Sequence, residues 1–238
     1  TGLNSSASDI ETVVAKVVKL QANTTPHLHT LVEHDDVVAA LYLQARNTDL
    51  QSRADIMLLR QLYKASFFHE LRTQQQLGYI VALTSLPLKE VNSAVFMVQS
   101  PSATLPEVTD SIAQFLSQMI EGLSDFDMHK QAVIQQLLEP PKNSAEQSSF
   151  YWGRLLAEDY DFNDLQAIAD YLSSLTQSQF SEKLKELLAQ QSSSEAFDIN
   201  ALQAVWFTAS RKPYHHAQTQ TINNIEEFKR ESPVYVFQ

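Results

Sequence analysis

Apolar side chains change their period several times along the chain, and each change marks an element. Ser8-x-x-Glu11 has the form of a capping box, and Ile10, Val13, Val14, Val17 and Val18 behind it share one helical face. This spacing predicts a helix over residues 9–20, fading at a linker, Asn23-Thr24-Thr25-Pro26. Residues 28–34 and 37–45 read as two strands joined by Asp35-Asp36 in a hairpin-like acidic turn. The second, Val37-Val38-Ala39-Ala40-Leu41-Tyr42-Leu43, is almost continuously apolar, as a strand covered on both faces would be. From Ser52 to Thr73 a wide stripe of Ile56, Leu59, Leu62, Tyr63, Phe67 and Leu71 predicts a long helix. Strands follow at 79–85 and 92–99, with Leu86-Pro87-Leu88-Lys89-Glu90 as their turn.

Beyond residue 103 the period lengthens from that of a strand to that of a helix. Leu105, Val108, Ile112, Leu116, Met119 and Leu123 step by three or four, behind a Thr104-x-x-Glu107 cap. Further helices are predicted at 125–138, at 144–158 from a Ser144-x-x-Gln147 start, at 164–174, and at 177–190 from Thr176-x-x-Gln179. Pro140-Pro141 divides the first two, and Gln190-Gln191-Ser192-Ser193-Ser194 reads as a loop. A strand near 203–209 and a short helix at 224–230 close the chain. The order predicts an α+β fold with a mainly antiparallel sheet and helices packed on one face.

Composition narrows the partners more than the fold. The 238 residues are 44% hydrophobic and 19% charged, the mark of a globular chain. Lys and Arg number 17 against 28 Asp and Glu, a net charge of -11, which repels phosphate backbones and argues against nucleic acid. The absence of cysteine removes disulfides, thiolate nucleophiles and cysteine metal sites. No apolar run is long enough for a membrane span, and no signal-like segment opens the chain. The abrupt Thr1-Gly2-Leu3-Asn4 start has the look of a piece cut from a longer protein.

The most informative stretch is Phe67-Phe68-His69-Glu70-Leu71-Arg72-Thr73-Gln74-Gln75-Gln76-Leu77-Gly78-Tyr79-Ile80-Val81. It joins a helix end to a strand start across Gly78, in a chain with four glycines. So rare a glycine at a helix stop implies either positive φ or close backbone approach. The turn sets a permanent cation, Arg72, near a phenol, Tyr79. On spacing alone two readings stand: a functional pair, or an arginine capping helix carbonyls beside a core tyrosine.

The search for metal chemistry gives little. His27, His29, Glu33, His34, Asp35 and Asp36 cluster, and His29-Thr30-Leu31-Val32-Glu33-His34 misses the inverted zincin pattern His-x-x-Glu-His by one residue. Histidines five apart diverge by roughly 140° on a helix and face opposite sides of a strand, so neither geometry chelates one ion. A polar surface hairpin is the better account. Adjacent His215 and His216 point apart and read as a loop pair, and His69 beside Glu70 as a helix histidine. No nucleophile elbow, phosphate loop or dinucleotide fingerprint is present, and Asp159, Asp161 and Asp164 lack the spacing of a calcium loop.

Leu71-Arg72-Thr73-x-x-Gln76-Leu77-Gly78-Tyr79-Ile80-Val81 resembles the signature in the C-terminal half of pitrilysin-type zinc peptidases, the group of protease III and insulin-degrading enzyme. A second block agrees with it: Leu138-Glu139-Pro140-Pro141-Lys142-Asn143-Ser144-Ala145-Glu146, then Tyr151-Trp152 and Tyr160-Asp161-Phe162-Asn163. Gln99-Ser100 at the end of the second strand also fits. The resemblance implies four homologous domains around a closed chamber, with zinc held in the first, outside this chain. It implies that residues 1–26 carry the last helix of the third domain plus a linker, and that 27–238 are the fourth domain. It implies no catalytic and no metal-binding residue in this chain, peptide substrates and sister domains as partners, and a periplasmic or cytoplasmic location with the periplasm favoured. By the same resemblance Arg72 and Tyr79 reach the substrate backbone beside the zinc, whereas His29, Glu33 and His34 inherit no zinc role.

Overall fold

A computed structural model describes residues 14–156, 163–190, 196–216 and 219–237. The centre is a sheet of six strands: β2 (Pro26–Leu31), β3 (Val37–Gln44), β4 (Ile80–Thr84), β5 (Ser93–Ser100), β6 (Ala204–Ser210) and β7 (Gln220–Thr221). Their spatial order is β4-β5-β3-β6-β2-β7. β3 pairs antiparallel with β5 and β6, and β4 with β5, but β2 runs parallel to both β6 and β7. The sheet is mixed but mainly antiparallel, as the sequence predicted, with three of its five pairings antiparallel. Asp35-Asp36 therefore closes no hairpin: β6, from the far end of the chain, lies between β2 and β3. Local turn chemistry could not reveal this, because the intervening strand is separated from both by more than 150 residues.

A second departure lies at the termini. Residues predicted to finish a helix form β1 (Ala15–Val18), paired antiparallel with a C-terminal strand, β8 (Val234–Phe237). The Val17-Val18 pair suits a strand as well as a helix, and a partner ladder settles the choice. Ser8 and Glu11 lie outside the described residues, as do Asp159, Tyr160, Asp161 and Phe162. Two short strands, β7 and β8, were not anticipated at all.

Seven helices occur among the described residues: α1 (Leu50–Phe68), α2 (Leu105–Gln118), α3 (Phe126–Leu138), α4 (Ser144–Leu156), α5 (Asp164–Ser174), α6 (Gln177–Leu187) and α7 (Ile225–Glu231). The predicted capping boxes open α2 at Thr104 and α6 at Thr176, each with reciprocal bonds to the third helical residue. At α4 the cap sits one residue earlier than predicted, since Asn143 Oδ1 accepts the Glu146 N–H at 2.9 Å. None of these helices is long and apolar enough to cross a membrane.

α1 and α2 lie against one sheet face, and α3 and α5 pack on α1 from outside. The core closes on aromatic edges: Phe67 of α1 meets Phe96 of β5 at 5.4 Å and Phe115 of α2 at 5.0 Å, both T-shaped. Leu41, Leu43, Leu83 and Trp206 complete it from the sheet, all fully buried or nearly so. The opposite sheet face is covered at one end only, where Leu20, Ile222 and Phe228 pack on Tyr42 and Val205. At the other end its rows, Ala82-Met97-Ala40-Phe207 and Ile80-Gln99-Val38-Ala209, stay exposed or half-buried.

α4 is tied to this body through charge. Asp164, 5% exposed at the start of α5, pairs with Arg53 of α1 and with the buried Arg154 of α4 at 2.8 Å. Removing the carboxylate leaves a buried guanidinium without its counter-charge, a change that costs about 3–5 kcal/mol. Asp164→Ala is expected to lower unfolding free energy by that amount in urea titration, and to loosen α4 first by hydrogen exchange.

Candidate functional site

The glycine turn occupies the β4 edge, and its geometry follows from how α1 ends. The last turn widens into a π-helix over His69–Gln74, with the Gln75 N–H reaching back five residues to the Glu70 carbonyl at 2.9 Å. Gln76 then takes φ of 53°, the left-handed conformation that stops the helix. Gly78 does not carry the positive φ. Its role is proximity: a Cβ there would lie 2.1 Å from the Gln99 carbonyl oxygen. The turn is thus pressed against the end of β5, with no room for a side chain between.

That approach arranges the polar groups. Arg72 donates from Nη1 to the Gly78 carbonyl at 2.9 Å, and its guanidinium lies 5.8 Å from the Phe68 ring centre. It caps no helix carbonyl by this bond. Tyr79 is 49% exposed and is no core residue. Its hydroxyl donates to Asp36 Oδ2 at 2.9 Å and accepts from Gln99 Nε2 at 2.5 Å. Gln99 Nε2 donates to the same Asp36 oxygen at 2.9 Å. The bonds from Gln99 and Tyr79 hold the Asp36 carboxyl below the usual carboxylate range, and Asp36 in turn pushes the Tyr79 phenol up. At neutral pH the site is therefore an ionised carboxylate with a protonated phenol.

The sequence places Arg72 and Tyr79 at the turn but does not reveal the pair that orients the phenol. In the sequence Asp36 reads as a turn residue and Gln99 as a strand end. Their meeting depends on β3 and β5 being neighbours, with Val38 opposite Gln99 and Gln99 opposite Ile80. The phenolic proton is also committed to Asp36, so Tyr79 donates to another acceptor only by leaving that carboxylate.

The histidines are distributed otherwise than predicted. His27 and His29 do not sit on a surface hairpin. They point from β2 toward Thr208, and the loop pair His215-His216 folds back beside them. No three His, Asp or Glu side chains among the described residues are placed to hold one metal ion. Ring nitrogens of His27 and His29 are engaged by Thr208 and the Lys212 carbonyl, so this donor set does not fit a zinc ion. His69 is near Gln74 at 3.3 Å on the exposed turn.

Comparison with known proteins agrees with the turn. Residues 58–152, from α1 to α4, match the family described as PQQ synthase PqqF-like, C-terminal lobe domain 4. Human insulin-degrading enzyme is 29% identical over 163 residues, covering 66% of this chain and 16% of that enzyme. Among solved structures, pitrilysin superposes with a TM-score of 0.75 at 17% identity, over 94% of this chain and 24% of that one. A peptidase M16 inactive domain from Pseudomonas fluorescens gives 0.58 at 13% identity, over 84% of this chain and 48% of that one. The fold is that of the M16 peptidase domains. In sequence the chain is similar to insulin-degrading enzyme, and residues 58–152 match the C-terminal lobe domain of the PqqF-like family. It spans a small part of these relatives, 16% of the human enzyme and 24% of pitrilysin.

The glycines offer a paired test. Gly78→Ala must displace the turn from β5, and is expected to destabilise by about 1–3 kcal/mol as overpacking does. A Cβ at Gly153, inside α4, meets nothing within 4 Å, so Gly153→Ala should stabilise by about 0.5–1 kcal/mol through helix propensity. Thermal denaturation of both variants measures the opposite signs.

Proposed function

We propose that this chain is the non-catalytic C-terminal portion of a zinc-dependent endopeptidase, lining the chamber and holding the peptide backbone beside a zinc bound in the N-terminal half. One observation carries the reading: an exposed phenol, fixed by Asp36 and Gln99, stands beside the Arg72 turn at the rim of the uncovered sheet face. A sheet face left open among apolar and small polar side chains suits an enclosed chamber wall better than bulk solvent.

The chemistry of the pair follows from its donors. A guanidinium has five N–H donors, and the bond to Gly78 engages one. Arg72 thus has donors to offer a substrate carbonyl, and its charge favours the oxyanion that develops there during hydrolysis. Tyr79 accepts a peptide N–H as it stands, or donates to a carbonyl once that carbonyl replaces Asp36. Zinc in the parent enzyme would supply polarisation of the scissile carbonyl and an activated water. The sister domains are the macromolecular partners under this reading, with residues 27–238 as the fourth domain and 1–26 as the join to the third.

A second reading, a scaffolding domain without peptidase activity, is favoured by the likeness to a solved structure described as an M16 inactive domain. Kinetics on the full-length parent separate the two. Under the first reading, Arg72→Ala and Tyr79→Phe each lower peptide turnover by ~10²–10³ while the circular dichroism of the folded protein is unchanged. The isolated 238-residue chain is expected to cleave no peptide, with or without added zinc. Wild-type kinetics in both variants, or a parent without turnover, would favour the scaffold.

A further inference from the structure

β2 and β6 run parallel with His27 opposite Trp206 and His29 opposite Thr208, which brings these four side chains to one face. His27 is fully buried there. The segment 211–216 leaves β6 and folds back across them. Tyr214 meets His27 edge-on at 5.6 Å and shares a hydrogen bond with Thr109 of α2 at 3.2 Å. His216 stacks on Trp206, ring centres 5.5 Å apart.

A single polar chain threads this contact, and its ends dictate its direction. The Lys212 carbonyl can only accept, so His29 carries its proton on Nε2, 3.2 Å away, and Nδ1 is a lone pair. That lone pair accepts a hydrogen bond from the Thr208 hydroxyl at 2.8 Å, and the hydroxyl oxygen accepts the Nε2–H of His27 at 2.7 Å. His27 is left with a lone pair on Nδ1, facing the backbone N–H of His216 at 3.5 Å. A backbone N–H can only donate, so both ends impose the same neutral tautomer.

Protonation of His27 would set a second donor against the His216 N–H. Among the described residues, the surrounding groups offer no relief. His29 faces His27 from its own strand, and His215 and His216 from the returning segment, and all of them disfavour a positive ring. From α2, Asp110 acts on the Tyr214 phenol, and on the β7 side the neighbour of His215 is the neutral Thr221. Arg211 is paired with Asp35 at 2.7 Å, and Lys212 presents its carbonyl.

We propose that the segment 211–216 is an acid-released latch, held to the β2 edge by the neutral form of His27 and freed when that ring takes a second proton. Burial, then His216, His29 and His215, lower the His27 pKa from 6.5 to about 4. With the folded value below the unfolded one, the latch contributes its full stability above about pH 6.5. It loses that contribution as pH falls toward 4. This inference is independent of the peptide-binding reading, because it involves neither Arg72 nor Tyr79.

Nitrogen-edited NMR of the histidine rings in the 238-residue chain tests it directly. At neutral pH both His27 and His29 should carry the proton on Nε2. Amide exchange at 214–216, corrected for its intrinsic pH dependence, should accelerate by up to about tenfold per pH unit as acid titrates His27, while β5 amides stay protected. His27→Asn keeps an acceptor near the Nδ1 position and removes the titration, so its profile should be flat. Where that variant does not fold, the wild-type tautomer and exchange data decide the matter alone. A proton on Nδ1 of His27, a ring titrating at its ordinary value, or exchange insensitive to acid would overturn the latch.

Discussion

Residue 78 has no side chain, and the architecture of the β4 edge depends on that. The Gln99 carbonyl occupies the space a Cβ would need. Because the turn can close this far, the π-helical end of α1 feeds directly into β4, and β4 pairs with β5 from its first residue. Tyr79 then leaves the turn at the height where Gln99 and Asp36 can reach its hydroxyl. Arg72 is fixed to the same turn through the Gly78 carbonyl. A backbone contact of sterics alone thus sets the positions of a cation, a phenol and a carboxylate.

Two polar networks use the sheet in contrasting ways. At the open face, Asp36 gathers two donors while exposed enough to exchange either for another partner. On the helix face, His27, Thr208 and His29 form a chain that tolerates one proton arrangement only. The first network is anionic and adaptable. The second is neutral and centred on the buried His27 and Thr208, so its cost appears only when a proton is added. They meet in the loop region, where Arg211 pairs with Asp35 beside Asp36, although an exposed pair of this kind contributes little on its own.

Element boundaries were legible wherever a local rule governs. Thr104 and Thr176 open α2 and α6 as capping boxes because cap, third residue and apolar stripe lie within one helical turn. The stripe from Ile56 to Leu71 is legible for the same reason. Val17-Val18 misled, since β-branched residues at helical spacing also suit a short strand and the deciding partner, Val234–Phe237, is at the other end of the chain. Asp35-Asp36 misled in a related way: an acidic turn between two apolar runs specifies a reversal of the chain, and nothing local shows that β6 inserts between the strands. The pair Arg72 and Tyr79 could be read from the turn, but Gln99 and Asp36 could not. Nor could the meeting of His27 and His29 with His215 and His216, nearly the whole chain away.

By itself the sequence determined the central strands and helices from β3 to α6, the capping-box starts of α2 and α6, and the tight glycine turn. These are consequences of short-range sterics, capping and periodicity, which act within a few residues. The tertiary structure alone decided strand order, the mixed direction of the sheet, which histidines are linked through Thr208, and what orients the Tyr79 phenol. Those depend on contacts between segments up to about two hundred residues apart, whose closure is settled by burial of the whole core rather than by any local preference.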